Sequence, residues 1–416
     1  MFGIKTRIIR HFEDRLEHDL LDEKPLSSFE SKVFNYLIRK RLRQDAQAVD
    51  LQIPVISMTN PIASKITSIS SDFMPNNLGN WSIKKPYSLT TKIEKNLIIA
   101  IKKYYQCEKG IIGHFGSGST EGNIYAAWIG RNYVMENLSL RNSEKIVFLK
   151  SSLAHYSMDK AADLVGIHLE EVAIDLKRFS IDEEQLLKTI ERLYRTGMRG
   201  FLLPVTLGYT VSGTDDNLEK ILNIVTSTEN KYKNCKFFVW IDAAFSGISK
   251  IYTEEYFKPF EHKNVQLITA DFHKFLAVPY PSSIFLYKRG LLKYIEKTIP
   301  YIDQMDTTLL GSRPGINVLV TWMTLRNLGR AKIIAAVQHS LQKKNMFLEN
   351  VSSNIPSIRV INNRNSFQAC LVVGETKTQQ LLSKKYNLKK IEYTVKVGKK
   401  SKKISLYKLY FLPNFR

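Results

Sequence analysis

The sequence predicts an α/β protein whose main body is a mostly parallel sheet covered by helices on both faces. Two observations predict it. From the helical stretch ending near residue 107 to about residue 290, short apolar runs alternate with helical patterns, and continuous apolar runs are the mark of strands buried on both faces. One of those runs, "FFVWIDAAF", places Asp242 at its C-terminal end, the side of an open parallel sheet where ligands collect.

In chain order, residues 1 to about 50 read as helical, with an amphipathic stripe through Phe29, Val33, Phe34, Leu37 and Ile38. The stretch "QIPVISMTNPIASKITSISSDFMPNNLGNW" breaks that pattern with Pro, Asn, Ser and Gly and reads as loop-rich. Helical period returns in "SLTTKIEKNLIIAIKKYYQC". The candidate strands follow: "KIVFLK", "HLEEVAID", "FLLPVTLG", "FFVWIDAAF", "VQLITADF" and "SSIFLYK", with helical patterns such as "NLEKILNIVTST" between several of them. A long helical stretch from Ile316 to Asn350 leads into a strand-rich tail. The expected organisation is an N-terminal helical arm (1–60), a large α/β domain (61–305) and a small C-terminal α+β domain (306–416).

Composition is ordinary for a soluble globular chain of 416 residues except for a net charge of +22. The basic residues are spread out. Their densest run, nine lysines from Lys384 to Lys403, is interleaved at strand period with Ile391, Tyr393, Val395 and Val397. That run reads as a solvated hairpin turning at Val397–Ser401, so neither a nucleic-acid nor a membrane partner is expected. Cys107, Cys235 and Cys370 are odd in number and far apart, which suggests neither a disulfide framework nor a zinc site. The N-terminus lacks the apolar run of a secretory peptide, and no apolar stretch reaches the length of a bilayer span. A soluble, cytoplasmic protein is the expectation.

Chemistry concentrates in a few places. "GHFGSGSTEGNIYAAWIGRNYV" reads as a glycine-rich loop feeding a helix, an arrangement whose backbone N–H groups and dipole suit a phosphate. Three readings compete there: a nucleotide loop spanning Gly113 to Gly118 with Ser119 where a lysine belongs, a hydrolase elbow with Thr120 as nucleophile, and a cradle for a cofactor phosphate. In "TADFHKFLAVPYPSSIFLY", Asp271, His273 and Lys274 fall between two buried strands. A lysine flanked by apolar sequence is partly desolvated, which favours the neutral, nucleophilic amine. Asp242 is a buried carboxylate in need of a cation, and the small Ala244 leaves room for a flat ring. His155 follows the strand "KIVFLK", and Thr206 and Gly208 mark a third strand end.

Five motifs in register, "GSGSTEGN", "AHYS", "TLGYT", "WIDAAF" and "DFHK", together resemble the pyridoxal-phosphate-dependent amino-acid decarboxylases of fold type I. The resemblance runs from about residue 75 to 330 and implies a seven-stranded sheet and pyridoxal 5'-phosphate as cofactor. It gives Lys274 the bond to the cofactor aldehyde, Asp242 the pyridine nitrogen, His155 one face of the ring and Ala244 the other. Gly118, Ser119 and Thr120 cradle the phosphate with His273, and Thr206 lies beside the Asp242 end. It also implies a homodimer, in which Tyr301 is the candidate proton donor and Ser312 reaches a partner's cofactor phosphate. Asp306, Thr307, Gly311, Ser312, Arg313 and "NNLGN" at 76–80 are similar to the histidine and serine decarboxylase branch. Pro314, Gly315, Ile316 and Asn80 depart from that branch, which leaves the amino acid open among histidine, serine and others. The alternatives are a carbon–carbon lyase or an aminotransferase using Arg313, and a catalytically inactive basic scaffold on the same fold.

Overall fold

The computed structural model describes residues 11, 27–47, 60–70, 75, 77, 88–107, 109–254, 256–300, 304–374 and 376–413. They fall into two compact units, Met1–Met58 and Thr59–Arg416. In the first, helix α1 (Ser28–Gln47) begins at a reciprocal cap. The Glu30 carboxylate accepts from Ser27 N–H (2.8 Å), and the Ser27 hydroxyl accepts from Glu30 N–H (3.2 Å). Phe34 and Leu37 of the predicted stripe are buried, whereas Phe29 and Ile38 are exposed.

The second unit is built on the sheet that the sequence predicts. Its strands are β1 (Ile111–Gly116), β2 (Ile146–Ser151), β3 (His168–Val172), β4 (Gly200–Thr206), β5 (Lys236–Asp242), β6 (Val265–Asp271) and β7 (Ser283–Lys288). They lie in the order β1-β7-β6-β5-β4-β2-β3. Every neighbouring pair is parallel except those of β7, which runs against both β6 and β1. Burying the sheet on both faces removes apolar area at roughly 25 cal/mol per Å², and the side chains sealed there include Trp240, Phe148, Phe201 and Phe238. Two helices precede it, α2 (Pro61–Ser70) and α3 (Ser88–Tyr104). Helices α4 (Ser119–Asn137), α5 (Ser157–Leu164), α6 (Glu183–Arg195), α7 (Leu218–Lys231) and α8 (Ser246–Thr253) connect and cover the strands, and β6 passes to β7 through the single turn α9 (His273–Leu276).

Two details differ from expectation. The segment "HLEEVAID" is not one strand: β3 ends at Val172, and Ile174–Asp175 pairs instead with Ser180–Ile181. Residues Gly113 to Gly116, expected as loop, belong to the edge strand β1. Their glycines are there because Phe285 of β7 fills the space a side chain would take: a Cβ at Gly113 would meet the Phe285 carbonyl at 2.2 Å, and one at Gly116 the Phe285 ring at 2.3 Å. The nucleotide-loop reading, which needs Gly113 to open a loop, falls with it.

After the sheet, the helical segment α10 (Gly315–Asn354) breaks at Gly329 (φ 68°). The antiparallel strands β8 (Arg359–Asn362), β9 (Gln368–Val372), β10 (Ile391–Val397) and β11 (Lys400–Tyr410) follow in the order β8-β9-β11-β10, with α11 (Thr376–Tyr386) between β9 and β10. The lysine-rich hairpin turns at Gly398 and Lys399, with Val397 opposite Lys400. It is not wholly solvated, since Lys396 Nζ reaches Glu170 (3.1 Å) and the Glu171 carbonyl (2.7 Å) on β3. No helix among the described residues is long and apolar enough to cross a membrane.

Candidate active site

The C-terminal ends of β4, β5 and β6 and the N-terminus of α4 enclose a cavity of about 340 Å³. Its lining includes Gly118, Ser119, Thr120, His155, Thr206, Asp242, Ala244, His273 and Lys274, together with Gly208 and Asp271, all sequence candidates that the structure brings together. Ser312 is exposed and does not line it; Tyr301 and Asn80 lie outside the described residues. Arg313 is buried elsewhere: its Nη1 bonds Glu94 (2.5 Å) and the Phe115 carbonyl (2.7 Å). Among the described residues no arginine lines the cavity, and Arg313, the clamp candidate of the aminotransferase reading, is not in it.

Asp242 ends β5 opposite Thr206 of β4. It is buried, and its two oxygens accept from neutral donors: the Asn123 amide at 3.1 Å and Ala244 N–H at 3.2 Å. Burial pushes its carboxyl above the ordinary range, and the Lys274 charge only partly offsets this. Asn123 was not found by sequence reasoning, because an asparagine inside a helical pattern carries no signal of where it points. It accepts from Trp240 Nε1 (3.0 Å) and donates to Ser157 Oγ (3.0 Å) as well as to Asp242.

Ser157 in turn stands 2.9 Å from His155 Nδ1. The Ser157 backbone N–H also points at Nδ1 (3.3 Å), which makes that nitrogen the acceptor; the hydroxyl donates to it, and the neutral imidazole carries its proton on Nε2. Burial, and then the Lys274 charge, lower the His155 pKa to about 4. The folded chain therefore binds fewer protons here than the unfolded one between about pH 4 and the ordinary value of 6.5, and stability falls as pH drops through that window. His155→Gln should flatten the dependence of Tm on pH between about 4 and 6.5; an unchanged slope in a pH series of thermal melts refutes the neutral assignment.

Asp271 ends β6 and is the second buried carboxylate. Its Oδ1 accepts from Ser119 N–H (2.9 Å), Ser119 Oγ (2.6 Å) and Ser283 Oγ (2.6 Å), while its Oδ2 lies 3.1 Å from Lys274 Nζ and 3.4 Å from His273 Nε2. Burial pushes this carboxyl up, but Lys274, His273 and the hydroxyls outweigh it and hold the group below the ordinary range. The desolvated amine expected from the sequence thus faces a carboxylate, with the Phe245 ring 4.3 Å from Nζ. His273 turns Nδ1 to the Ser282 carbonyl (3.0 Å).

The cavity floor is held by close packing. A Cβ at Gly122 would meet Thr269 Oγ1 at 2.5 Å, and one at Gly208 (φ 87°) would meet Ser246 Oγ at 2.2 Å. Asp216 fixes the β4 end by accepting from Thr206 N–H (2.8 Å), Ile181 N–H (2.8 Å) and Tyr209 OH (2.8 Å). Helix α4 starts at Gly118, which has no side chain to cap it; Asp271 takes the Ser119 N–H, and the next N–H groups of the first turn, those of Thr120 and Glu121, are left for the cavity. Glu121, which could repel an anion there, turns one oxygen to Ser117 N–H (2.6 Å), and burial raises its pKa. These features fit a pyridoxal phosphate: a buried carboxylate bonded only to neutral donors suits a protonated ring nitrogen, the remaining N–H groups of the helix start suit a phosphate, and one amine reaches into the cavity.

Comparison with known proteins agrees with this chemistry. Residues 57–372 match the family model described as the pyridoxal-dependent decarboxylase conserved domain. A tryptophan decarboxylase of Clostridium sporogenes is 33% identical over 262 residues, covering 61% of this chain and 61% of that protein. A histidine decarboxylase of Vibrio anguillarum is 24% identical over 257 residues, covering 61% and 63%. The chain thus spans somewhat less than two thirds of these curated relatives. An L-methionine decarboxylase structure from Streptomyces sp. 590 has the same fold, with a TM-score of 0.77 at 16% identity over 95% of this chain and 93% of that one.

Proposed function

Since the chain belongs to the pyridoxal-dependent decarboxylase family, we propose that it removes the α-carboxylate of an L-amino acid, giving the amine and CO₂. The observation that carries this reading is the gathering of Lys274, Asp242, His155 and the α4 N-terminus around one cavity.

When bound, pyridoxal phosphate supplies an aldehyde that bonds an amine and a ring that accepts electrons. In this reading the chain's residues do the rest. Lys274 presents its Nζ as the bonding amine and afterwards stands in the cavity as a group able to hold a proton. Asp242 keeps a negative charge at the β5 end, positioned by Asn123 and Ala244 N–H, so that a proton stays on the ring nitrogen. His155 offers a neutral, flat face, and Ala244 leaves space opposite it. With both Ser119 donors held by Asp271, the phosphate would be met by the N–H groups of Thr120 and Glu121 in the first α4 turn, with the Thr120 hydroxyl and His273.

The cavity wall supports a choice of substrate class. Tyr156, Tyr209, Phe245 and Tyr280 line it, and among the described residues Lys274 is its one lysine or arginine. Among the described residues no second cation is there to meet a second carboxylate, which favours a neutral planar side chain, aromatic or imidazole, over glutamate or aspartate. Of the curated relatives, two are tryptophan and histidine decarboxylases by name, while others are named for tyrosine and aspartate or for aspartate and glutamate, so this choice rests on the cavity wall. A homodimer is part of this reading, supported by the exposed Phe29, Tyr36, Ile38 and Leu42 of α1.

The test is to load the purified full-length chain with pyridoxal phosphate and offer single L-amino acids: tryptophan, tyrosine, phenylalanine, histidine, serine and glutamate. The expected outcome is CO₂ with the matching amine from an aromatic or histidine substrate at a kcat/KM at least about tenfold above glutamate. Keto-acid without CO₂ means transamination, and a preference for glutamate refutes the assigned side-chain class.

A further inference from the structure

We propose that Asp271 is a dock for the ammonium of Lys274, holding that side chain charged and in place whenever it is not bonded to the cofactor. The proposal rests on reading Lys274 as the bonding amine.

The dock is built from three elements. Asp271 closes β6, and Lys274 follows three residues later on the single turn of α9, so the chain itself brings carboxylate and amine to 3.1 Å. The far oxygen of Asp271 is fixed by Ser119 N–H, Ser119 Oγ and Ser283 Oγ at 2.6–2.9 Å. The carboxylate therefore cannot swing away when the lysine leaves. From β5's end, the Phe245 ring lies 4.3 Å from Nζ, a second surface that attracts a cation. A carboxylate immobilised by three donors and a facing ring together make a seat for a positive charge. Asp271 is only 2% exposed, so that charge is felt with little screening.

The other ionisable groups around the seat are few. Asp242 faces it from β5, His155 from the segment after β2, Glu121 from α4, His273 from α9 itself and Tyr280 from the loop that follows. The two histidines are held neutral mainly by burial, and Asp242 is engaged by Asn123 and Ala244. Asp271 is thus the carboxylate in contact with Nζ among the described residues.

The consequence is chemical. Condensation with an aldehyde needs the lone pair of a neutral amine: Lys274 gives one proton to water, Nζ bonds the carbonyl carbon, and the carbonyl oxygen departs as water. A docked ammonium resists the first of these losses, so Asp271 raises the pH at which condensation becomes fast. Asp271→Asn keeps the size and an acceptor oxygen toward Ser119 and Ser283 but removes the charge.

The experiment measures condensation of the cofactor-stripped full-length chain with pyridoxal phosphate and, separately, with pyridoxal, by absorbance across pH. Relative to the wild type, Asp271→Asn should lower the midpoint of the rate profile by about 1 pH unit or more, equally with both probes. Phe245→Leu, which leaves every hydrogen bond of Asp271 in place, should lower it by about half a unit, and it carries the test alone if Asp271→Asn does not fold. An unchanged midpoint in the folded variants overturns the dock. So does a shift seen only with pyridoxal phosphate, which would place the effect in the phosphate cradle. Absence of condensation in the wild type, with Lys274→Ala as the control, overturns the parent reading and the dock together; condensation with an unmoved midpoint overturns the dock alone.

Discussion

Lys274→Ala should abolish the absorption of covalently held pyridoxal phosphate and lower amine production by a factor on the order of 10⁴ or more. The size follows from position. Among the described residues three other lysines are buried more deeply, and each is committed elsewhere. Lys150 pairs with Asp159 at 2.7 Å, and Lys250 pairs with Asp215 at 2.8 Å and Glu254 at 2.5 Å. Lys344 is the most tempting rival, because burial lowers its pKa to about 8 and so makes its amine more nucleophilic. Its Nζ, however, caps the carbonyls of Asn363 (2.7 Å) and Ser366 (2.5 Å), and it does not line the cavity. Lys344→Ala should therefore leave the cofactor band intact. The Lys274→Ala chain should still fold: breaking a fully buried pair costs about 3–5 kcal/mol, but Lys274 is 20% exposed and Asp271 keeps three other donors, so the loss is smaller. A thermal melt, run beside the spectrum, separates lost chemistry from lost structure. Amine formed by Lys274→Ala at near wild-type rate ends the assignment.

What the sequence made legible has a physical reason. Strands buried on both faces are written as uninterrupted apolar runs, so a polar residue that ends one is conspicuous, as Asp242, Thr206 and Asp271 are. Those strand ends converge because parallel neighbours end on the same side of the sheet, and the site candidates converge with them. The edge strand β1 was hidden by its own packing. Gly113 and Gly116 make room for Phe285, and glycines outside a three-dimensional context read as loop. Asn123 was hidden for the opposite reason, since a helix shows its faces by apolar period and a single inward polar group leaves no trace in that period. The link from Asp271 to Ser119 crosses 152 residues of chain, a distance over which composition and spacing say nothing about contact.

Asp242→Asn separates holding the cofactor from using it. The variant should retain the absorption of bound pyridoxal phosphate, because Lys274 and the α4 N-terminus are untouched, while turnover falls by about 10²–10⁴-fold. The electrostatic part of that loss is direct: an amide cannot stabilise a proton on a ring nitrogen as a carboxylate does, and at a site this buried the difference is little screened. There is also a cost in stability. The two carboxylate oxygens each receive a donor, from Asn123 and from Ala244 N–H. An asparagine offers one oxygen and one NH₂ group, so whichever way it turns, one donor meets another. Leaving that donor unsatisfied in the interior costs about 1–3 kcal/mol, visible as a lower Tm without loss of the cofactor band. A purely structural role for Asp242 predicts a different pattern, in which uptake and turnover decline together as the fold loosens. Bound cofactor with little turnover is the pattern that an anion acting on the ring requires, and turnover within a few-fold of wild type would remove Asp242 from the chemistry.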